Sequence, residues 1–142
     1  RVHAVDVGTA QLHEKLRRDP RVVSKEGVNL RLHDPALLPQ PVDLITADLS
    51  FISLRSVLPA LLPHLRPGGH IVALIKPQFE LARHQVGQGG VVREESLRQL
   101  AVERVTAFAR ESLGLEVLGV VPSALKGPQG NQEYLALLRR PA

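Results

Sequence analysis

Cysteine, methionine and tryptophan are absent from the 142 residues, and aromatic residues make up only 3% of them. Without cysteine there is no disulfide framework, no thiol nucleophile and no zinc site built on thiolates. No apolar run reaches the roughly 18 to 20 residues that cross a bilayer, and no basic leader precedes a hydrophobic stretch. The expectation is a soluble, cytoplasmic protein with no membrane partner. The missing methionine includes an initiator, and the chain opens at Arg1 directly on a strand-like run, so it reads as a fragment of a longer polypeptide.

What is present is 44% hydrophobic and 23% charged, enough to bury one core. With no internal repeat, low-complexity tract or composition break, residues 1–142 read as a single domain. Eighteen bases against fourteen acids give +4 and a pI near 10.1, which suits a polyanionic partner. Only four of those bases are lysine, and a GC-rich genome accounts for the Arg, Leu, Val, Ala and Pro content equally well. Nothing in the sequence fixes an oligomeric state.

Val2 to Asp6 reads as a strand ending in an acid, with Gly8 as a turn. Leu12 and Leu16 predict a short amphipathic helix over 9–18, stopped by Asp19-Pro20. Val22-Val23 suggests a second strand, and Asp43 to Asp48 a buried one that again ends in an acid. Leu54, Val57, Leu58, Leu61, Leu62 and Leu65 keep a helical period that Pro59 and Pro63 should kink or shorten. Arg66-Pro67-Gly68-Gly69 marks its end, and His70 to Lys76 is the clearest strand in the chain. Residues 77–92 read as a long loop, 94–113 as a helix ended by Gly114, Val117 to Val121 as a strand and Gln132 to Leu138 as a last strand. Long connections favour parallel pairing until the final two strands, which most simply pair antiparallel.

Four strings carry the chemistry: Ala4-Val5-Asp6-Val7-Gly8, Ala47-Asp48-Leu49-Ser50-Phe51-Ile52-Ser53, Ile75-Lys76-Pro77-Gln78-Phe79-Glu80, and Gly127-Pro128-Gln129-Gly130-Asn131-Gln132-Glu133-Tyr134-Leu135. With the Arg66-Pro67-Gly68-Gly69 turn before a strand, they resemble the hemolysin A-type (TlyA-type) ribosomal RNA 2′-O-methyltransferases, relatives of the FtsJ methyltransferases. The resemblance covers nearly the whole chain.

The resemblance implies a Rossmann-like α/β sheet in the order 3-2-1-4-5-7-6, with strand 7 antiparallel. The first recognisable strand here matches the family's second, so the sheet reads as truncated before strand 2. The glycine-rich loop for S-adenosylmethionine (AdoMet), the first lysine of a Lys-Asp-Lys-Glu catalytic set and an S4-like N-terminal domain are then missing. A gap is expected between the strands ending at Asp6 and Asp48, and the chain is expected to be inactive by itself.

The remaining catalytic members implied are Asp48, Lys76 and Glu133. The start of a reversed strand shares a sheet edge with the ends of its parallel neighbours, about 4.8 Å apart, and ligands of open α/β sheets bind at that edge. Asp48 and Lys76 meet there on this reasoning; Glu133 joins them only through the family's strand order. A ribose hydroxyl needs a base, or a cation to stabilise the developing alkoxide, and Lys76 can serve as either. No metal is required.

For the cofactor, Asp6 would accept both ribose hydroxyls of AdoMet, with Val7 beside it, Asp48 nearby and Asn29 at the adenine region. Each residue also has a plainer role. Asp48 could cap a turn, Lys76 could be solvated, Glu133 could be an edge residue, and Asn29 is equally suited to capping its loop. Their joint occurrence inside the four strings favours the catalytic reading.

The activity implied is 2′-O-methylation of cytidine in 16S and 23S ribosomal RNA, with ribosomal subunits as partner. Three other functions are weighed. An amino-group methyltransferase would read Asp48-Leu49-Ser50-Phe51 as an Asp/Asn-Pro-Pro-Tyr/Phe motif, but its prolines are absent. A pore-forming haemolysin is supported by no membrane segment or strongly amphipathic surface helix, and a non-catalytic RNA-binding relic would not be expected to keep all three polar residues. Lys126, Arg83 and His84 are loop residues suited to RNA phosphates or merely solvated. Gly87-Gln88-Gly89-Gly90 lacks phosphate-loop spacing and reads as a flap. Phe51 and Phe79 are suited either to stacking on a flipped base or to core packing.

Overall fold

The computed structural model describes all 142 residues. Two parallel strands, β1 (Val2–Val5) and β2 (Val22–Lys25), pair with each other and are joined through a one-turn helix, α1 (Glu14–Arg17). The helix is shorter than the 9–18 expectation. Ala10 adopts a left-handed backbone (φ 55°), and the His13 ring accepts the Lys15 N–H, so the helix begins only after His13. Leu16, half of the predicted apolar stripe, is exposed and has no core to bury against.

The second sheet holds four strands in the order β3-β4-β6-β5, with β3 at Val42–Ala47, β4 at Leu65–Ile75, β5 at Glu116–Pro122 and β6 at Tyr134–Arg139. β3 and β4 are parallel, and β6 runs antiparallel between β4 and β5. β4 starts five residues before the sequence reading placed it. Arg66-Pro67-Gly68-Gly69 forms a register shift within the β3–β4 pair instead of a stop. Gly68 takes φ 81°, and a Cβ on Gly69 would lie 2.9 Å from the Asp43 carbonyl oxygen, so only glycine lets the two strands approach there.

Helices α2 (Leu54–Leu61) and α4 (Glu95–Glu111) cover one face of this sheet. Leu54, Leu58, Leu65, Ile71, Ile75 and Leu138 are among the large members of the buried core between them. Alternation along β6 sends Ala136 and Leu138 into that core and leaves Leu135 and Leu137 exposed on the opposite face. Pro59 lies inside α2, and Pro63 lies in the 3-10 turn Leu62–His64 that follows, so the prolines end the helix at Leu61 and tighten its last turn.

β1 and β3 do not hydrogen-bond. Between them lies a groove of about 860 Å³, lined on one side by Val2, His3 and Val5 and on the other by Leu44, Ile45 and Asp48. The gap expected between the strands ending at Asp6 and Asp48 is therefore present, and on either side of it the order of the strands follows the implied topology.

Candidate functional site

Register decides which strand ends meet. Ala47 pairs with Ala73 on β4, and Ile75 pairs with Tyr134 on β6, so Asp48, Lys76 and Glu133 all emerge at one sheet edge. Pro77 opens the short helix α3 (Pro77–Glu80) immediately after Lys76 and turns the chain away from the sheet.

The Lys76 side chain is 11% exposed, its stem buried and its ammonium 2.8 Å from Asp48 Oδ1 and 3.1 Å from Ser50 Oγ. An ammonium has three donors, and these contacts use two of them. Asp48 is 72% exposed and faces the cleft. Glu133 is buried, and its Oε2 accepts a 3.1 Å hydrogen bond from Gln78 Nε2. The structure thus joins Asp48 and Lys76 directly, whereas Glu133 is held by Gln78 and forms no ion pair with Lys76. Ser50 and Gln78 are members of the cluster that sequence reasoning missed, although both lie inside the strings that carry the resemblance.

Phe51 has φ 64°, a conformation that costs a non-glycine residue about 1–3 kcal/mol. It is 87% exposed, and its ring centroid lies 5.2 Å from that of half-buried Phe79. Of the two roles open from sequence, core packing is excluded for Phe51. A strained backbone instead holds an exposed ring next in sequence to Ser50, the residue that Lys76 bonds.

Glu80, at the end of α3, is 2% exposed. Its carboxylate accepts the Leu54 N–H at 2.8 Å and the Ser53 hydroxyl, and Arg55 lies beside it. It therefore caps the start of α2, where the 48–53 segment ends. Burial raises its pKa above the ordinary 4.5; the bonds from Ser53, Leu54 and Arg55 pull the other way without cancelling that effect. No sequence signal distinguished it from the rest of its string.

Asp6 is exposed, and its Oδ1 accepts the Gly8 N–H at 2.8 Å, which leaves Oδ2 free. Val7 is 71% exposed next to it. Asn29 is exposed and accepts the Arg31 N–H at 3.0 Å, which is the loop-capping role that the sequence left open for it. Lys126 is exposed and donates to Gln132 Oε1, and Arg83 and His84 lie exposed on a 3-10 turn.

Residues 1–140 match the family model described as FtsJ-like methyltransferase. The chain is 50% identical over 138 residues to the Mycobacterium tuberculosis 16S/23S rRNA (cytidine-2′-O)-methyltransferase TlyA, covering 97% of this chain and 51% of that protein. A solved structure from Streptococcus thermophilus, to which the provisional name hemolysin is attached, superposes with a TM-score of 0.94 at 47% identity, over 99% of this chain and 50% of that one. At 16% identity the fold alone is shared with the Bradyrhizobium japonicum N-methyltransferase NodS in complex with S-adenosyl-L-homocysteine: TM-score 0.63, over 100% of this chain and 67% of that one. The chain spans about half the length of the curated relatives it matches.

Proposed function

Because the chain belongs to the FtsJ-like methyltransferase family, we propose that it forms the methyl-transfer domain of a cytoplasmic AdoMet-dependent enzyme that methylates the 2′-hydroxyl of cytidine in 16S and 23S ribosomal RNA, acting on ribosomal subunits. The observation that carries this reading is Lys76, mostly buried and paired with Asp48 and Ser50 at the edge where β3, β4 and β6 meet.

The residues fit AdoMet at the end of β1. Asp6 keeps one carboxylate oxygen on Gly8 and offers the other to a ribose diol, the arrangement that nucleotide-binding sheets use. When bound, the cofactor supplies a methyl carbon already made electrophilic by its sulfonium. Everything else falls to the chain. Lys76 receives the ribose hydroxyl at the position left by Asp48 and Ser50, passes one of its own protons to the Asp48 carboxylate and takes the hydroxyl's proton in exchange, so that an ammonium again faces the developing oxyanion. Phe51 offers its face to the cytosine base, which leaves the ribose directed toward Lys76. Asp6→Ala should weaken AdoMet binding by about 10- to 100-fold in calorimetry, the loss expected for charge-assisted hydrogen bonds, and should lower the rate mainly through that affinity. Unchanged affinity would remove Asp6 from the cofactor site.

The function is tested with the full-length protein, ribosomal subunits and methyl-labelled AdoMet. The labelled nucleotide should resist alkaline cleavage at its 3′ linkage, because a methylated 2′-oxygen cannot attack the neighbouring phosphate. Label confined to the base, with that linkage still alkali-labile, would reject the ribose assignment in favour of amino-group methylation.

A further inference from the structure

Asn131 lies in a turn, yet only 2% of its surface is exposed. Its Oδ1 accepts the Val92 N–H at 3.0 Å, and its Nδ2 donates to the Gly90 carbonyl at 2.8 Å and to the Pro128 carbonyl at 3.4 Å. One side chain therefore binds the backbone of two segments some forty residues apart in sequence, 87–92 and 127–131.

These segments share one design. Gly87 N–H donates to Val91 O and Gly90 N–H to Gly87 O; Gly127 N–H donates to Asn131 O and Gly130 N–H to Gly127 O. The third and fourth residues of both turns are left-handed, Gly89 and Gly90 in one and Gln129 and Gly130 in the other. Each turn is closed on itself, and Asn131 is the bolt between them.

The second turn bears on the catalytic edge. A Cβ on Gly127 would lie 2.2 Å from Glu133 Oε2 and 2.6 Å from its Cδ, so the Gly127 backbone lies against that carboxylate and any side chain there would displace it. Glu133 is thus fixed on one side by Gln78 and on the other by Gly127.

We propose that Asn131 is a positioning residue of the methyl-transfer site: by bolting the 87–92 turn to the 127–131 turn it fixes Gly127 against Glu133 and so sets the place of that carboxylate. The proposal rests on the methyltransferase reading above. It assigns Asn131 no contact with RNA or cofactor.

The test uses the full-length protein carrying Asn131→Asp, which keeps the acceptor for Val92, loses both donated bonds and sets a carboxylate against two carbonyls. The kcat for methyl transfer to ribosomal subunits should fall by at least about tenfold, with AdoMet affinity by calorimetry within about twofold. Gly127→Ala, which displaces Glu133 directly, should also lower kcat, and the double variant should be no slower than the slower single, as expected for residues acting through one element. A wild-type kcat in Asn131→Asp, losses that multiply in the double variant, or AdoMet affinity falling in step with kcat would each overturn the proposal.

Two readouts stand apart from turnover. The Val92 amide should exchange slowly with solvent in the wild-type protein, and the Glu133 carboxyl carbon resonance should move in Asn131→Asp. If the wild-type protein transfers no methyl group to ribosomal subunits, the functional reading fails, while a shifted Glu133 resonance still supports the positioning role and an unmoved one overturns it. If Asn131→Asp does not fold, rapid exchange of Val92 in the wild-type protein overturns the proposal, and slow exchange with a shifted Glu133 resonance in Gly127→Ala supports it.

Discussion

Replacing Lys76 by alanine is expected to lower methyl transfer about 10³-fold, the range in which a general base or a charged stabiliser of an oxyanion contributes. The effect should be confined to chemistry. Lys76 is partnered by Asp48 and Ser50, whereas the cofactor's proposed anchor, Asp6, directly follows β1, the strand on the other side of the groove, so AdoMet affinity measured by calorimetry should change by less than about twofold. Stability should fall only by the packing of the buried Lys76 stem. Removing the ammonium leaves behind a carboxylate that is 72% exposed, and water solvates it. Lys76→Arg should fail almost as badly, because a guanidinium does not release its proton and its planar fork does not fit where a compact ammonium sits. A Lys76→Ala enzyme that turns over within tenfold of wild type would remove Lys76 from the reaction.

The parts of this site that were legible in the sequence are those that strand geometry dictates. Asp48 and Lys76 end apolar runs, and ends of parallel strands share an edge, so their meeting follows from pattern alone. Glu133 needed the family's strand order, since only the β4–β6 pairing brings it there, and pairing between segments some sixty residues apart leaves no local trace. In the structure its carboxylate is held by Gln78, a contact set by one turn of α3, and not by Lys76. Four-residue helices such as α1 and α3 are too short to show a period. The predicted helix over 9–18 therefore overreached, and α3 passed as loop. Arg66-Pro67-Gly68-Gly69 misled for a different reason: the residues that break a helix also allow a bulge, and here Gly69 lets β4 start at Leu65 against β3.

Glu80 provides the larger expected effect on stability. Glu80→Ala removes a buried carboxylate and with it the acceptor for the Leu54 N–H and the Ser53 hydroxyl at the start of α2. A buried donor left without its partner, together with a broken cap and a cavity, should cost about 3 kcal/mol in urea denaturation. Because α2 begins where the segment bearing Asp48, Ser50 and Phe51 ends, methyl transfer should fall too, without loss of AdoMet affinity.

Glu80→Gln separates the cap from the charge. Its amide oxygen can still accept from Leu54, and Arg55, 35% exposed, is left to solvent, so the cost should be far smaller than for alanine. The two proteins should also differ in their response to pH. Burial raises the native pKa of Glu80 above 4.5, so the folded state holds this proton more tightly than the unfolded state. The stability linked to that proton is full below 4.5 and is lost as the pH rises through the native value. Glu80→Gln carries no such proton, so its stability relative to wild type should improve between pH 4.5 and neutrality, a difference in which all other titrating groups cancel. A stability gap between the two proteins that stays constant over that interval would show that Glu80 holds no buried charge, and an alanine variant within about 0.5 kcal/mol of wild type would show that it does not cap α2.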